Sequence, residues 1–486
     1  SKEKIAVTYP GLFDDVHVGG HVLFDDGLID MEIKEKDEAT RELVVVVKNA
    51  GMLGSRKGVN APGVSISLPG ITEKDAEDIR FGLDNDIDFI AASFVRKAQD
   101  VLEIREILEE KDMTHVQIFS KIESQEGIDN IDEIIKVSDG IMVARGDMGV
   151  EIPAEEVPMV QKSIIKKCNA AGKSVITATQ MLESMQQNPR PTRAEASDVA
   201  NAVFDGTDAT MLSGESANGD YPVEAVATMA RIDVEAEKAL SENSTFQINQ
   251  FDKTDVTETI GLSVARAAKN LGVKTIVAAT ESGYTAKMIS KYRPDADILA
   301  VTFDERTKRG LMLNWGVYPT VAEKPSTTDE MFELAAKQAV DLGFAKEGDL
   351  ILITAGVPVG ERGTTNVMKI QLIGSKLLEA QGIGEKSVVA NAVIAHSAEE
   401  AIAKAKDGMI LVVPTTDKEY MPAIEKAAAL VVEDGGLTSH AAVVGIAKDL
   451  PVIVGAKDAT TTIKDGELVT LDSRRGIVYR GETTAI

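Results

Sequence analysis

The chain has 486 residues, 44% hydrophobic and 27% charged, a length for about three domains and the composition of a soluble globular protein. Its 78 acidic against 52 basic residues give a net charge of −26, which argues against a nucleic-acid or anionic-membrane surface but leaves small anionic substrates open, because these answer to local charge. One cysteine, Cys168, excludes an internal disulfide framework and fits a reducing cytoplasm.

No apolar stretch approaches the ~20 residues that span a bilayer, and the opening SKEKIAVTYP carries no secretory apolar region. The histidines at 17, 21, 115, 396 and 440 are scattered, without metal-ligand spacing. Residues 1–69 read as β-rich, with VLFDDGLIDMEI, ELVVVVKNAG and VSISLPG broken by Asp-Gly and Asn-Ala-Gly turns. From 70 to 240 the apolar runs IDFIAASF, VQIFSKIE, GIMVAR, KSVITATQ and DATMLSGE alternate with helical stretches such as AQDVLEIREILEEK. That alternation predicts βαβ units in a parallel sheet, barrel-like or doubly wound. The polar stretch 241–255 leads into a second α/β region, with KTIVAAT, DILAVT and GDLILITAG as strands, extending to about 380. QGIGEKS (381–387) reads as a linker. A third α/β unit over 385–486 ends in the hairpin-like LVTLDSRRGIVYRG.

Each run of the 70–240 block turns polar at its C-terminal end. Ser93 closes the first, Lys121 and Glu123 the second, Arg145-Gly146-Asp147 follows the third, Thr177 and Thr179 end the fourth, and Ser213-Gly214-Glu215 ends the fifth. Strand ends meet solvent and can be polar for that reason alone, but ligands of parallel α/β proteins also bind there. Lys121 and Glu123 stand two apart, so both side chains leave a strand on the same face. Two readings are open from the residues: a surface ion pair, or a charge stabiliser beside a metal ligand. Glu123 and Asp147 are hard oxygen ligands suited to Mg²⁺ or Mn²⁺. A cation beside such a metal is what a transferring phosphoryl group requires. Gly146 lets backbone amides approach an anion, and EIPAEEVP opens a helix whose N-terminus favours negative charge. The residues thus point to metal-dependent phosphoryl transfer.

IFSKIESQEGI, MVARGDMGVEIP, ITATQMLESM, NPRPTRAEASDVANAV and MLSGES, in this order, together with RKGVNAPG, LPGITEKD, SKYRP and WGVYP, resemble the pyruvate kinase family over residues 1 to about 380. The resemblance implies a lid domain (1–69), a (β/α)8 TIM-type barrel (70–240) and a regulatory α/β domain (241–380). It implies transfer from phosphoenolpyruvate to ADP, giving pyruvate and ATP. By matching motif positions, Lys121 stabilises the moving phosphoryl group, Glu123 and Asp147 bind the divalent metal, and Gly146, Asp147 and Thr179 contact substrate. Thr179 also falls at a catalytic position, Ser213 and Glu215 lie near the enolate, and Lys57 reaches the nucleotide phosphates. The family's first three barrel strands, its substrate arginine and the ligands of its K⁺ ion have no counterpart in this sequence. Five strands cannot close an eight-stranded barrel, so the resemblance implies either about a hundred further N-terminal residues or a fragment.

The loop TESGYTAKM (280–288), with Ser282, Gly283 and Thr285, matches the family's site for a phosphorylated allosteric effector, faced by GERGTTN (360–366). Small polar residues before a helix also serve as plain caps. GGLTSHAAVVG (435–445) resembles the swivelling phosphohistidine domain of phosphoenolpyruvate-utilising enzymes, with His440 at the phosphorylated position. The expectation is a structural role for His440. The rival readings are a phosphotransferase cycling phosphate through His440, and a non-catalytic regulatory fragment. The segment around NPRPTRAEASDVANAV matches surfaces through which the family forms homotetramers.

Overall fold

The computed structural model describes residues 4–243, 256–356, 365–374 and 376–483. They fall into two compact units, Ser1–Ala265 with Thr280–Asp295 and Thr302–Glu323, and Arg266–Ala279 with Ala296–Val301 and Lys324–Ile486.

The first unit opens with an antiparallel sheet of β1 (His21–Phe24), β2 (Ile29–Asp37), β3 (Glu42–Val47) and β4 (Val59–Asn60), in the order β3-β2-β1-β4. Its period of two is clear in β2, where Ile29, Met31 and Ile33 point inward onto Leu12, Val16 and Phe24. The turn between β1 and β2 holds Asp25, Asp26 and Gly27 at φ values of 51, 55 and 82°. Consecutive left-handed residues are what a tight hairpin with right-handed strand twist demands, and Asp and Gly tolerate them.

Helix α1 (Glu73–Asp84) leads into a parallel sheet of β5 (Phe89–Ala92), β6 (Gln117–Ile122), β7 (Gly140–Ala144), β8 (Ser174–Ala178) and β9 (Ala209–Thr210), in chain order across the sheet. The crossovers include α2 (Ala98–Glu110), α3 (Ile131–Val137), α4 (Arg145–Glu151), α5 (Val157–Ala171) and α6 (Arg193–Asp205), with α7 (Pro222–Asn243) after β9. Ile104, Ile107 and Leu108 of α2 and Ile164 and Ile165 of α5 pack on Ile118, Ile122, Ile141 and Val175. The opposite face of the sheet carries Phe119, Met142, Ile176 and Ala178. Period two therefore puts Lys121 on the Phe119 face, away from the helix layer. The run 208–215 pairs with β8 over Ala209–Thr210 alone and then turns away.

In the second unit, β10 (Thr275–Ala279) runs parallel to both β11 (Asp297–Thr302) and β12 (Leu350–Gly356), and β13 (Thr365–Leu372) pairs antiparallel with β12. The C-terminal region forms an eight-stranded sheet from β14 (Lys376–Glu379), β15 (Gln381–Ile383), β16 (Ser387–Ile394), β17 (Met409–Val413), β18 (Ala427–Val432), β19 (Val452–Val454), β20 (Leu468–Asp472) and β21 (Ile477–Arg480). Its order is β14-β21-β20-β16-β17-β18-β19-β15. In an open sheet of this size the outer strands would stand roughly 34 Å apart at ~4.8 Å per strand. Here they are neighbours in sequence, separated only by Ala380, whose N–H donates to the Gly476 carbonyl at 2.8 Å. The sheet therefore curls until its two edges meet on one segment. The stretch expected as a linker is in part a closing strand: Gln381–Ile383 pairs with β19. Gly382 is required there, since a Cβ would stand 1.9 Å from the Ser473 carbonyl oxygen.

Candidate active site

The site is built at the C-terminal ends of β5 to β9. Lys121 Nζ lies 2.8 Å from Glu123 Oε1 and donates to Ser93 Oγ at 2.8 Å. Glu123 is fully buried, and its Oε2 accepts the Phe94 N–H. Phe94 holds φ 52°, a conformation rare for a bulky residue, which aims its amide at this carboxylate. Burial pushes the Glu123 carboxyl up from the usual glutamate range, the Lys121 and Phe94 hydrogen bonds oppose this, and the negative charge of Asp147 adds to the rise.

Helix α4 begins at Arg145, directly after β7, so Gly146 and Asp147 sit in its first turn instead of in a loop before the next helix. The Gly146 N–H donates to Thr179 Oγ1 at 2.7 Å, and that hydroxyl donates to the Ala178 carbonyl at 2.6 Å. Thr179 and Gln180 take φ values of 68 and 54°. A β-branched residue in this region carries strain that the surroundings must impose. Arg145 is the agent: its guanidinium donates to the carbonyls of Ala178 (3.3 Å) and Thr179 (2.7 Å) and pairs with Asp198 at 2.7 Å.

At the β9 end, Glu215 is fully buried and accepts the N–H groups of Leu182 (3.0 Å) and Ser213 (2.7 Å). Glu215 thus has a visible structural task, fastening the loops after β8 and β9 to each other. Glu151, on the last turn of α4, accepts from Asn60 Nδ2 of the N-terminal antiparallel sheet at 2.9 Å. Burial pushes its carboxyl up, the Asn60 bond opposes this, and Asp147 adds to it.

Of the residues expected from sequence, Ser93, Lys121 and Glu123 touch, and Gly146 and Thr179 touch. Asp147 is close enough to act on Glu123 electrostatically, and Ser213 is held by Glu215. Lys57 is placed apart, paired with Asp25 at 2.8 Å. In the loop before α8 (Tyr284–Ser290), Ser282 is exposed, Gly283 has φ 80° and bonds Thr280 Oγ1 at 3.0 Å, and Thr285 is buried. Most of the facing stretch, 360–364, lies outside the described residues. His440 begins α9 (His440–Lys448), with Nδ1 3.2 Å from Thr416 Oγ1. Asn60 and Glu151 are absent from the sequence reading, because nothing local links side chains 91 positions apart.

Among the described residues no group of three or more His, Cys, Asp or Glu side chains could hold a metal. The pair Glu123 and Asp147 suits an ion that keeps several waters and takes few protein carboxylates, as Mg²⁺ does. The crowding of two carboxylates, one of them desolvated, is the electrostatic situation a divalent cation relieves.

Carboxylates and a lysine gathered at the C-terminal end of a parallel β/α sheet are the arrangement expected at the active end of a barrel-type enzyme. The chain is matched by the family models for the pyruvate kinase barrel domain (residues 1–226), the pyruvate kinase alpha/beta domain (258–371) and the mobile domain of PEP-utilising enzymes (405–476). It is 64% identical over 487 residues to a pyruvate kinase of Lactobacillus delbrueckii subsp. bulgaricus, 59% over 485 to one of Geobacillus stearothermophilus and 58% over 485 to one of Bacillus licheniformis. Each alignment covers 100% of this chain and 83% of the relative. The chain belongs to the pyruvate kinase family.

Proposed function

We propose that the chain transfers the phosphoryl group of phosphoenolpyruvate to ADP, giving pyruvate and ATP. The observation that carries this is the Lys121–Glu123 pair, 2.8 Å apart at the end of β6. An ammonium held by Ser93 and Glu123 at a strand end is a preorganised positive charge, and preorganised charge is the main catalytic resource for phosphoryl transfer. In the reaction the bond from phosphorus to the enol oxygen breaks and one to the terminal ADP oxygen forms. The enolate left behind then takes a proton. Lys121 offsets charge on the moving group, and Gly146 and Asp147, in the first turn of α4, face the anion with the positive end of the helix. Thr179 fixes that turn against β8. Glu123 and Asp147 would hold Mg²⁺ or Mn²⁺, which when bound neutralises phosphate charge. Lys57 serves the nucleotide phosphates, and Ser213 lines the substrate.

A homotetramer, a cytoplasmic location, a K⁺ requirement and a phosphorylated effector at Ser282, Gly283 and Thr285 rest on the family relationship and belong to the same proposal. Light scattering at micromolar concentration tests the assembly, and a monomer mass overturns it.

Lys121→Met tests the catalytic assignment. The expected result is a loss of at least about a thousandfold in kcat, roughly 4 kcal/mol of transition-state stabilisation, with phosphoenolpyruvate binding largely kept. Wild-type turnover in this variant overturns the role given to Lys121.

A further inference from the structure

The N-terminal β-rich region touches the sheet domain at several points: Arg96 donates to the carbonyls of Ile66 and Leu68, Ser65 meets Glu126, and two further contacts fall on α4. Asn60 Nδ2 donates to Glu151 Oε1 at 2.9 Å. Asn60 is 9% exposed and lies in β4, whose pairing with β1 (Leu23 with Asn60, Phe24 with Val59) fixes its backbone. The β1–β2 turn approaches the same helix: a Cβ on Gly27 would stand 3.5 Å from Val150 Cγ1. That turn also carries Asp25, the partner of Lys57 at 2.8 Å. Just beyond, Ser65 Oγ donates to Glu126 Oε2 at 3.1 Å. Lys57 and Asn60 therefore sit on one short segment, anchored at Asp25 on one side and at Glu151 on the other. On α4, Glu151 is four residues after Asp147, so both carboxylates share one helix face.

We propose that Glu151 is a positioning residue for the nucleotide half of the reaction: by accepting from Asn60 it holds the Lys57-bearing segment of the lid against the helix that carries Asp147. The idea rests on the phosphoryl-transfer reading given above. Glu151 touches no reacting atom in this scheme. Its carboxylate sets where the segment 57–60 stands relative to Gly146 and Asp147, and hence where Lys57 meets phosphate once it leaves Asp25. A hydrogen bond to a charged acceptor is strong enough for this to register in binding. Phosphoenolpyruvate, bound at the strand ends, does not depend on the lid segment in this way.

Steady-state kinetics of Asn60→Ala, Glu151→Ala, Glu151→Gln and the Asn60→Ala/Glu151→Ala double variant test the proposal. The two alanine variants are expected to raise KM for ADP about tenfold, with kcat and KM for phosphoenolpyruvate each within about twofold of wild type. The double variant is expected to match the singles, because both remove one interaction. Glu151→Gln keeps an acceptor oxygen for Asn60 and is expected to stay within about threefold of wild type. Equal rises in both KM values, additive losses, or a glutamine variant as impaired as the alanine variant would each overturn the assignment. Amide hydrogen exchange of residues 57–64 reads the same latch without turnover. Faster exchange in the alanine variants but not in Glu151→Gln supports it, and unchanged exchange refutes it. If the wild-type protein makes no ATP from phosphoenolpyruvate and ADP, the functional reading fails, and hydrogen exchange still decides whether Glu151 holds the lid segment.

Discussion

Arg145 Nη1 lies 2.7 Å from Asp198 Oδ1, so a guanidinium at the start of α4 is secured by a carboxylate on α6. The other edge of that guanidinium holds the carbonyls of Ala178 and Thr179. Lysine cannot reproduce this fork, because its ammonium is a single point of donation. Arg145→Lys is predicted to lower kcat/KM for phosphoenolpyruvate about a hundredfold, close to 2.7 kcal/mol, through misplacement of Thr179 and Gly146. Asp198→Asn should lose less, since the acceptor oxygen survives. Steady-state kinetics of the two variants decide it, and a fully active Arg145→Lys enzyme refutes the scaffolding role.

Thr179 poses a different balance. Its φ of 68° costs on the order of 1–2 kcal/mol for a residue with a Cβ, and glycine would remove that cost. The hydroxyl, however, accepts the Gly146 N–H at 2.7 Å. Thr179→Gly is therefore expected to melt within a few degrees of wild type while losing most activity, and Thr179→Ser to keep most of it. Parallel melting curves and rate measurements test the pair; a serine variant as inactive as the glycine variant would show that the hydroxyl is not what matters.

The strand ends were legible because a period of two leaves little freedom: once VQIFSKIE is a strand, Lys121 and Glu123 must share a face, and the structure brings them to 2.8 Å. Long-range fastening was not legible. Arg145, Glu215 and Glu151 hold loops and domains together through bonds to backbone groups or to side chains far away in sequence. No local pattern encodes such partners. Gly146 illustrates a subtler limit: its motif marks a turn near an anion, but the start of α4 at Arg145 follows from the hydrogen bonds of the completed fold. QGIGEKS misleads because glycine and polar residues mark linkers by composition, whereas Gly382 answers to a close approach by Ser473.

Glu195 supplies a pH test. Burial pushes its carboxyl up, but hydrogen bonds from the Ser184 hydroxyl and amide and the Thr192 amide and hydroxyl outweigh this and hold it below the usual glutamate range. A depressed folded-state pKa contributes stability that is fully present above the unfolded value, near 4.5, and is lost as pH falls through the folded value. Glu195→Gln should cost about 1 kcal/mol at pH 7 and progressively less in the acid range below the ordinary glutamate pKa. Denaturation at several pH values checks this; a difference that stays constant with pH contradicts it.

His440 is predicted to be dispensable for turnover. In the proposed reaction phosphate passes directly to ADP and needs no carrier, and His440 has a local partner in Thr416 at 3.2 Å. Incubation with phosphoenolpyruvate should leave no acid-labile phosphate on residues 435–445, and His440→Ala should work at a near-normal rate. Phosphohistidine detected at 440 by mass spectrometry at neutral pH would restore the carrier reading.

The curled C-terminal sheet bears on how such an appendage can be passed between proteins. Lys376–Glu379 and Gln381–Ile383 form opposite selvedges of one fabric, joined through Ala380. A gene rearrangement that moved only 385–486 would deliver a sheet with both borders torn away and two rows of unsatisfied backbone groups ready to pair with other chains. The smallest portable cassette must begin ahead of Lys376, so the segment that resembles connective tissue in the sequence has to travel with the module it closes.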